Sequence, residues 1–387
     1  MPNPIYASMP TTIFTVMSGL ARELGAINLG QGFPDEPGPR SIRERAAAEV
    51  LDGYNQYPPM PGIPELREAV AKHYARFQGL DLNWREEITV TSGATEAIAC
   101  SLLALIKPGD EVVVFAPAYD AYLPMIRRAG GVPRIVRLTP PHWRFNRADL
   151  EEAFTARTRL VVLNNPLNPT ASVCPPEDLA LLAEFCVRFD AVAVCDEVWE
   201  QVVFEGIVHT PLIGLPGMRE RTVKIGSAGK LFALTGWKVG WLCAAPSLTN
   251  VLAKAHQFLT FTTPPNLQAA VAWGLGNSDD WFAAMPADLT RSRDRLADAL
   301  RSEGFAVLQS QGAYFLNVDL ATSGITEGDV DFCLRAVKEA GVAAIPLSVF
   351  YETDPVTHII RLCFAKRDET LDEGVRRLAK ARQLMRA

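Results

Sequence analysis

The chain has no C-x-x-C pair, no run of lysine or arginine, and no apolar stretch long enough to cross a bilayer. Each absence excludes something. The seven cysteines (100, 174, 186, 195, 243, 333 and 363) are scattered and odd in number. That argues against a zinc site or a disulfide framework and for reduced thiols in a cytoplasm. Cys195, inside AVAVCDE, reads as a small buried hydrophobe. The five histidines (73, 142, 209, 256 and 358) never pair with an acid at metal-ligand spacing, so no metal is expected. A formal net charge of −6 without a basic run makes nucleic acid an unexpected partner. No charged region followed by an apolar core opens the chain, so neither a signal peptide nor a membrane partner is expected. No G-x-G-x-x-G joins a first strand to its helix, which argues against a nicotinamide-dependent dehydrogenase.

What is present is ordinary globular material. With 387 residues, 48% hydrophobic and 21% charged, the chain is long enough for two domains and a large core. Between about Glu65 and Ala272, short apolar runs alternate with amphipathic helical stretches such as Thr95–Ile106 and Pro176–Phe189. The runs ITVTS, EVVVFA, RLVVLN, AVAVCD, TVKIGS and VGWLCAA read as strands buried on both faces. This predicts an α/β fold, a mainly parallel sheet sandwiched by helices. After a polar helix near Trp281–Arg293, the short strands GFAVLQ, AYFLNVD and HIIRLCFA predict a smaller α+β domain. The expected division is 1–45 for an N-terminal arm and part of the small domain, 46–285 for the large α/β domain and 286–387 for the small C-terminal α+β domain. The turn-rich arm, GQGFPDEPGP included, is expected to pack on the small domain or on another subunit. In the last helix, Asp368, Glu369, Asp372 and Glu373 precede Arg376, Arg377, Lys380, Arg382 and Arg386, an order that complements the helix dipole and reads as structural.

The most informative stretch is SAGKLFALTGWKVGW, residues 227–241. Alone, Lys230 reads equally as a loop lysine. Small and apolar neighbours with a second cation, Lys238, disfavour its ammonium form, and a neutral amine attacks a carbonyl to form a Schiff base. Ser227 and Lys238 stand where a phosphate can be held. An aldehyde that carries a phosphate describes pyridoxal 5′-phosphate. Asp196 closes the apolar strand AVAVCD, where a carboxylate needs a cation or strong donor, and a protonated pyridine nitrogen is one. A helix cap or surface acid is the alternative. SGATEA (92–97) opens a helix after a strand, so the amides of Ala94 and Thr95 point at an anion, or the motif is only a cap. Asn168 in NNPLNPT offers an amide, although Asn-Pro pairs also mark plain turns. Tyr119 in APAYDAY suits a planar cofactor or the core. Arg361, inside the apolar HIIRLCFA, needs a carboxylate or phosphate, either a substrate's α-carboxylate or an internal ion pair.

Together with INLGQGFPD, NQYPPMPGIPELREAVA, CDEV and AAIPLSVFY, these motifs run through almost the whole chain in order. They resemble the class I/II aminotransferases, fold-type I enzymes dependent on pyridoxal phosphate. The closest pattern is the branch of kynurenine aminotransferases, glutamine transaminase K and bacterial methionine-type aminotransferases. The resemblance implies that Lys230 forms the Schiff base and then acts as general acid and base, with Asp196 on the pyridine nitrogen and Tyr119 stacked on the ring. It implies that Asn168 contacts the ring oxygen and the substrate carboxylate, and that Ala94, Thr95, Ser227 and Lys238 bind the phosphate. Arg361 and the backbone of Gly32 would hold the α-carboxylate, and Phe14 would line the side-chain pocket. Tyr57 would reach the neighbouring subunit's phosphate, which implies a homodimer with shared sites.

The chain departs from the family at three positions. Trp199 stands where relatives have a tyrosine whose hydroxyl donates to the ring oxygen; an indole N–H donates but neither accepts nor ionises. Lys238 replaces an arginine common in relatives, and Ala171 a glycine. The expected reaction moves an amino group from methionine, glutamine, aromatic or kynurenine-like amino acids to a 2-oxo acid. A cysteine-S-conjugate β-lyase would use the same residues. A non-catalytic cofactor-binding regulator would need an N-terminal DNA-binding domain, and no basic helix-turn-helix precedes the pattern.

Overall fold

A computed structural model describes residues 2–385. Arg386, expected at the end of the last helix, lies outside them. The central sheet takes seven strands from the apolar runs: β1 (Ile88–Thr91), β2 (Glu111–Ala116), β3 (Val132–Arg137), β4 (Thr158–Asn164), β5 (Val192–Asp196), β6 (Thr222–Ser227) and β7 (Gly240–Cys243). Their order is β1-β7-β6-β5-β4-β2-β3, parallel throughout except for β7, which runs against both neighbours. β7 follows β6 after only the one-turn helix Ala228–Leu231 and a 3-10 turn, neither long enough to cross a face of the sheet, and it runs back antiparallel to β6.

β3 was not among the expected strands. Its sequence VPRIVR is half-exposed and carries two arginines, as suits an edge strand paired on one side only. Every residue of β1, β2, β6 and β7 is buried, which explains their near-continuous apolar character. Helices such as Gly93–Leu105 and Pro176–Arg188 cover the two faces.

A second, antiparallel sheet has the order β10-β11-β9-β8, built from β8 (Ala306–Val307), β9 (Phe315–Asp319), β10 (Ile345–Pro346) and β11 (Ile359–Cys363). The N-terminal arm packs here. Ile27–Asn28 pairs in parallel with Val342–Ala343, and Met17 and Leu29 are buried in the same core as Phe332 and Leu362. The polar helix is longer than its sequence pattern, Asp279–Ser302, and runs across position 285/286 with Pro286 inside it. Among the described residues, no helix is long and apolar enough to cross a membrane.

Candidate active site

The parallel strands end at one edge of the sheet, where loops splay apart and leave room for a ligand. Asn164 ends β4 beside Asp196 at the end of β5, and Ser227 ends β6. Across this edge lies a cavity of about 450 Å³, closed on the far side by Phe315 and Arg361 of the second sheet and by Phe14 of the arm. Twelve of the thirteen expected residues line it: Phe14, Gly32, Ala94, Thr95, Tyr119, Asn168, Asp196, Trp199, Ser227, Lys230, Lys238 and Arg361. The thirteenth, Tyr57, does not. It is 80% exposed on the outer surface and meets Phe261 edge-on at 5.5 Å.

Lys230 sits in the one-turn helix Ala228–Leu231, its Nζ making only a long 3.4 Å contact to the Gly32 carbonyl. Burial lowers its pKa to about 8, against the pull of Asp196 and with help from Arg361 and Lys238. The ammonium lies 4.5 Å from the centre of the Trp199 ring. Trp199 is fixed in turn by edge-on contacts to Tyr314 and Phe315. The Tyr314 hydroxyl donates to the Lys230 carbonyl at 2.8 Å, which ties the lysine turn to the second sheet.

Asp196 is buried, and burial raises its pKa, against the hydroxyl of Tyr122, which donates to Oδ2 at 2.6 Å. Asn164 uses both ends of its amide. Its Nδ2 donates to the Asp196 carbonyl, and its Oδ1 accepts from the Asn168 amide, both at 2.8 Å. Tyr122 and Asn164 escaped the sequence reading, although each lies inside a quoted motif, APAYDAY and NNPLNPT; neither signals a contact that only folding creates.

The helix Gly93–Leu105 starts at the cavity with no side-chain cap. Its first amides lack intrahelical partners by geometry and face the cavity as donors. Gly93 has φ +72°, and a Cβ there would sit 3.2 Å from Lys238 Cε. A Cβ on Gly240 would lie 2.7 Å from the Gly93 carbonyl carbon. Two glycines thus let the lysine, the strand and the helix start close around a small anion. Ala171, where glycine is common, does adopt a left-handed φ of +62°.

Arg361 is 2% exposed, and among the described residues it forms no ion pair. Its Nη1 donates to Asn168 Oδ1 at 2.6 Å and its Nη2 to the Gly30 carbonyl at 2.9 Å, while Nε is buried without a partner. Rings of Phe14, Phe315 and Phe350 surround it with centroids 5.3, 4.0 and 5.4 Å away. Burial lowers its pKa to about 10. A cation so desolvated, with an idle donor, is suited to receive a carboxylate from a ligand.

Behind the cavity lies a second polar group. Lys224 on β6 is fully buried between Glu197 and Glu200. Glu197 also meets His209 at 3.2 Å; Glu200 accepts from Tyr74 at 3.0 Å and Gln78 at 2.7 Å. Glu197, Glu200 and His209 converge as metal ligands would, but the Lys224 ammonium already lies between the two carboxylates.

A buried amine of lowered pKa, an anion cradle and a buried carboxylate at a strand end suit pyridoxal phosphate: each offers what one part of that molecule lacks. Comparison with known proteins agrees. The model for "aminotransferase class I and II" matches residues 25–378. A probable N-succinyldiaminopimelate aminotransferase of Mycobacterium tuberculosis is 43% identical over 380 residues, covering 95% of this chain and 96% of that one. The methionine aminotransferase of Escherichia coli is 42% identical over 379 residues, 98% of both chains, and a solved structure of that activity from the same organism superposes with a TM-score of 0.95 over 98% of this chain and 99% of that one. Human kynurenine–oxoglutarate transaminase 1 is 35% identical over 394 residues, 93% of both. The chain therefore belongs to the class I and II aminotransferases, enzymes of fold type I that work with pyridoxal 5′-phosphate.

Proposed function

We propose that this aminotransferase takes its amino group from a neutral L-amino acid, of the methionine, glutamine, aromatic or kynurenine-like kind, and passes it to a 2-oxo acid. The single observation that carries the reading is Arg361, a buried guanidinium with an idle Nε in a cage of three phenyl rings. It supports a site for one carboxylate next to apolar walls. The similarity to methionine and kynurenine aminotransferases points the same way.

Bound pyridoxal phosphate supplies an aldehyde that condenses with an amine and a cationic ring that accepts electrons from the donor's α-carbon. In the proposed arrangement the amides of Ala94 and Thr95, the Ser227 hydroxyl and Lys238 would hold the phosphate. Asp196, steadied by Tyr122, keeps a proton at the ring nitrogen. Tyr119 would lie against the ring, and Asn168, whose Oδ1 accepts from Arg361, would also contact the cofactor. Trp199 supplies a π face to Lys230 in place of a phenol. Arg361, Asn168 and the Gly32 backbone orient the donor's α-carboxylate, with Phe14 beside its side chain. Lys230, a buried amine of lowered pKa, would take up and hand back the proton of the donor's α-carbon.

Three further assignments belong to this proposal. The chain divides at 1–45, 46–285 and 286–387, a reading that the two separate sheets support, with the helix Asp279–Ser302 joining the last two parts. It forms a homodimer: Leu51, Tyr54, Tyr57 and Phe258, exposed at 81, 69, 80 and 86%, leave an apolar face that a second copy would cover, bringing Tyr57 to its neighbour's phosphate. It works in the cytoplasm, as seven unpaired cysteines favour.

Borohydride trapping with peptide mapping tests the core of the reading. The label falls on Lys230, and Lys230→Ala loses both the label and transamination; a label elsewhere would refute it.

A further inference from the structure

Five charged side chains line the cavity: Lys230, Lys238 and Arg361, with Asp196 and Asp120. The proposed function occupies four of them. Asp120 is left over. It follows Tyr119 in the loop after β2 and is half-buried, and among the described residues it has no side-chain hydrogen bond and no ion pair. Burial raises its pKa, opposed by the Ala121 backbone amide and by the field of Arg361. It therefore sits within electrostatic reach of the guanidinium that would receive the α-carboxylate, without neutralising it. Nearby walls are apolar or aromatic: Phe14, Tyr119 and Phe315.

We propose that Asp120 is a specificity-determining residue that sets the charge class of the donor side chain, admitting neutral or hydrogen-bond-donating groups and turning away a second carboxylate. The inference rests on the aminotransferase reading and deepens it. In that reading no cavity cation is left free: Lys238 would bind the phosphate, Arg361 the α-carboxylate, and Lys230 would be taken up by the aldehyde. A distal carboxylate would meet no free cation and one free anion. Like charges in a partly desolvated site repel more strongly than in water, so a single misplaced carboxylate discriminates between donors of similar size. A donor with an amide, aniline or thioether end suffers no such repulsion, and the first two give Asp120 a hydrogen bond.

The test is a ratio. In wild type, kcat/KM for methionine exceeds that for glutamate; in Asp120→Asn the ratio falls about tenfold or more, equivalent to about 1.4 kcal/mol. A ratio within twofold of wild type, or one that rises, overturns the proposal. Binding provides a second reading without turnover. Pentanoate and glutarate differ by one carboxylate, and thermal shifts of the cofactor-loaded protein rank them. Wild type prefers pentanoate and Asp120→Asn narrows that preference; an unchanged preference overturns the proposal. Asp120→Ser carries the same comparison if the asparagine variant folds poorly. If wild type transfers no amino group from any donor, the proposed function fails, while the pentanoate–glutarate ranking still decides the role of Asp120.

Discussion

Replacing Arg361 by leucine separates a residue kept for stability from one kept for function. Its pKa falls to about 10, more than two powers of ten below the usual guanidinium value, chiefly through burial. At about 1.4 kcal/mol per power of ten, the folded protein carries a cost of about 3 kcal/mol. The sign follows from linkage: a base whose pKa is lowered by folding destabilises the fold at every pH below that value, neutral pH included. Leucine removes that cost and still touches the rings of Phe14, Phe315 and Phe350. It also strips the donors from the Gly30 carbonyl and Asn168 Oδ1, at about 1–3 kcal/mol for a buried acceptor. The two nearly cancel, so the apparent melting temperature of the apoprotein stays close to wild type. Activity does not stay. Losing a buried charged partner for a carboxylate costs about 3 kcal/mol, so kcat/KM falls roughly a hundredfold. Added pentanoate, which raises the wild-type melting temperature by binding the folded state, leaves the variant unmoved. A variant with full activity, or one that unfolds many degrees early, would show that Arg361 is a structural ion and refute the reasoning.

Three other outcomes follow from the geometry. Because burial lowers the Lys230 pKa to about 8, apoprotein captures pyridoxal phosphate tenfold more slowly for each pH unit below that value, and the rate levels off above it; a rate that keeps climbing into the ordinary lysine range contradicts the assignment. Lys224→Met leaves Glu197 and Glu200 buried without their cation and lowers unfolding stability by about 3–5 kcal/mol in denaturant titration, a loss under 1 kcal/mol being incompatible with the buried pairing. If Tyr57 serves the neighbouring subunit's site, mixing inactive Lys230→Ala chains with impaired Tyr57→Ala chains restores activity in hybrid dimers, which each hold one intact site; no recovery after verified subunit exchange counts against shared sites.

The chain itself determined much of this. Apolar runs five to seven residues long, separated by helical stretches, have few arrangements other than a covered parallel sheet. Lys230 and Asp196 were visible because each breaks an apolar context that only a partner of the right chemistry justifies. The edge strand Val132–Arg137 was missed because only Val136 of its six residues is fully buried and a proline and two arginines interrupt the apolar run. Tertiary structure decided the rest. Tyr122 reaches Asp196 across 74 residues, and Tyr314 reaches the Lys230 carbonyl across 84. It also showed that, among the described residues, Arg361 forms no ion pair and the Asp120 carboxylate pairs with no side chain, facts about what is missing in space. A sequence records which groups exist; which of them are left unsatisfied depends on where every other group comes to rest.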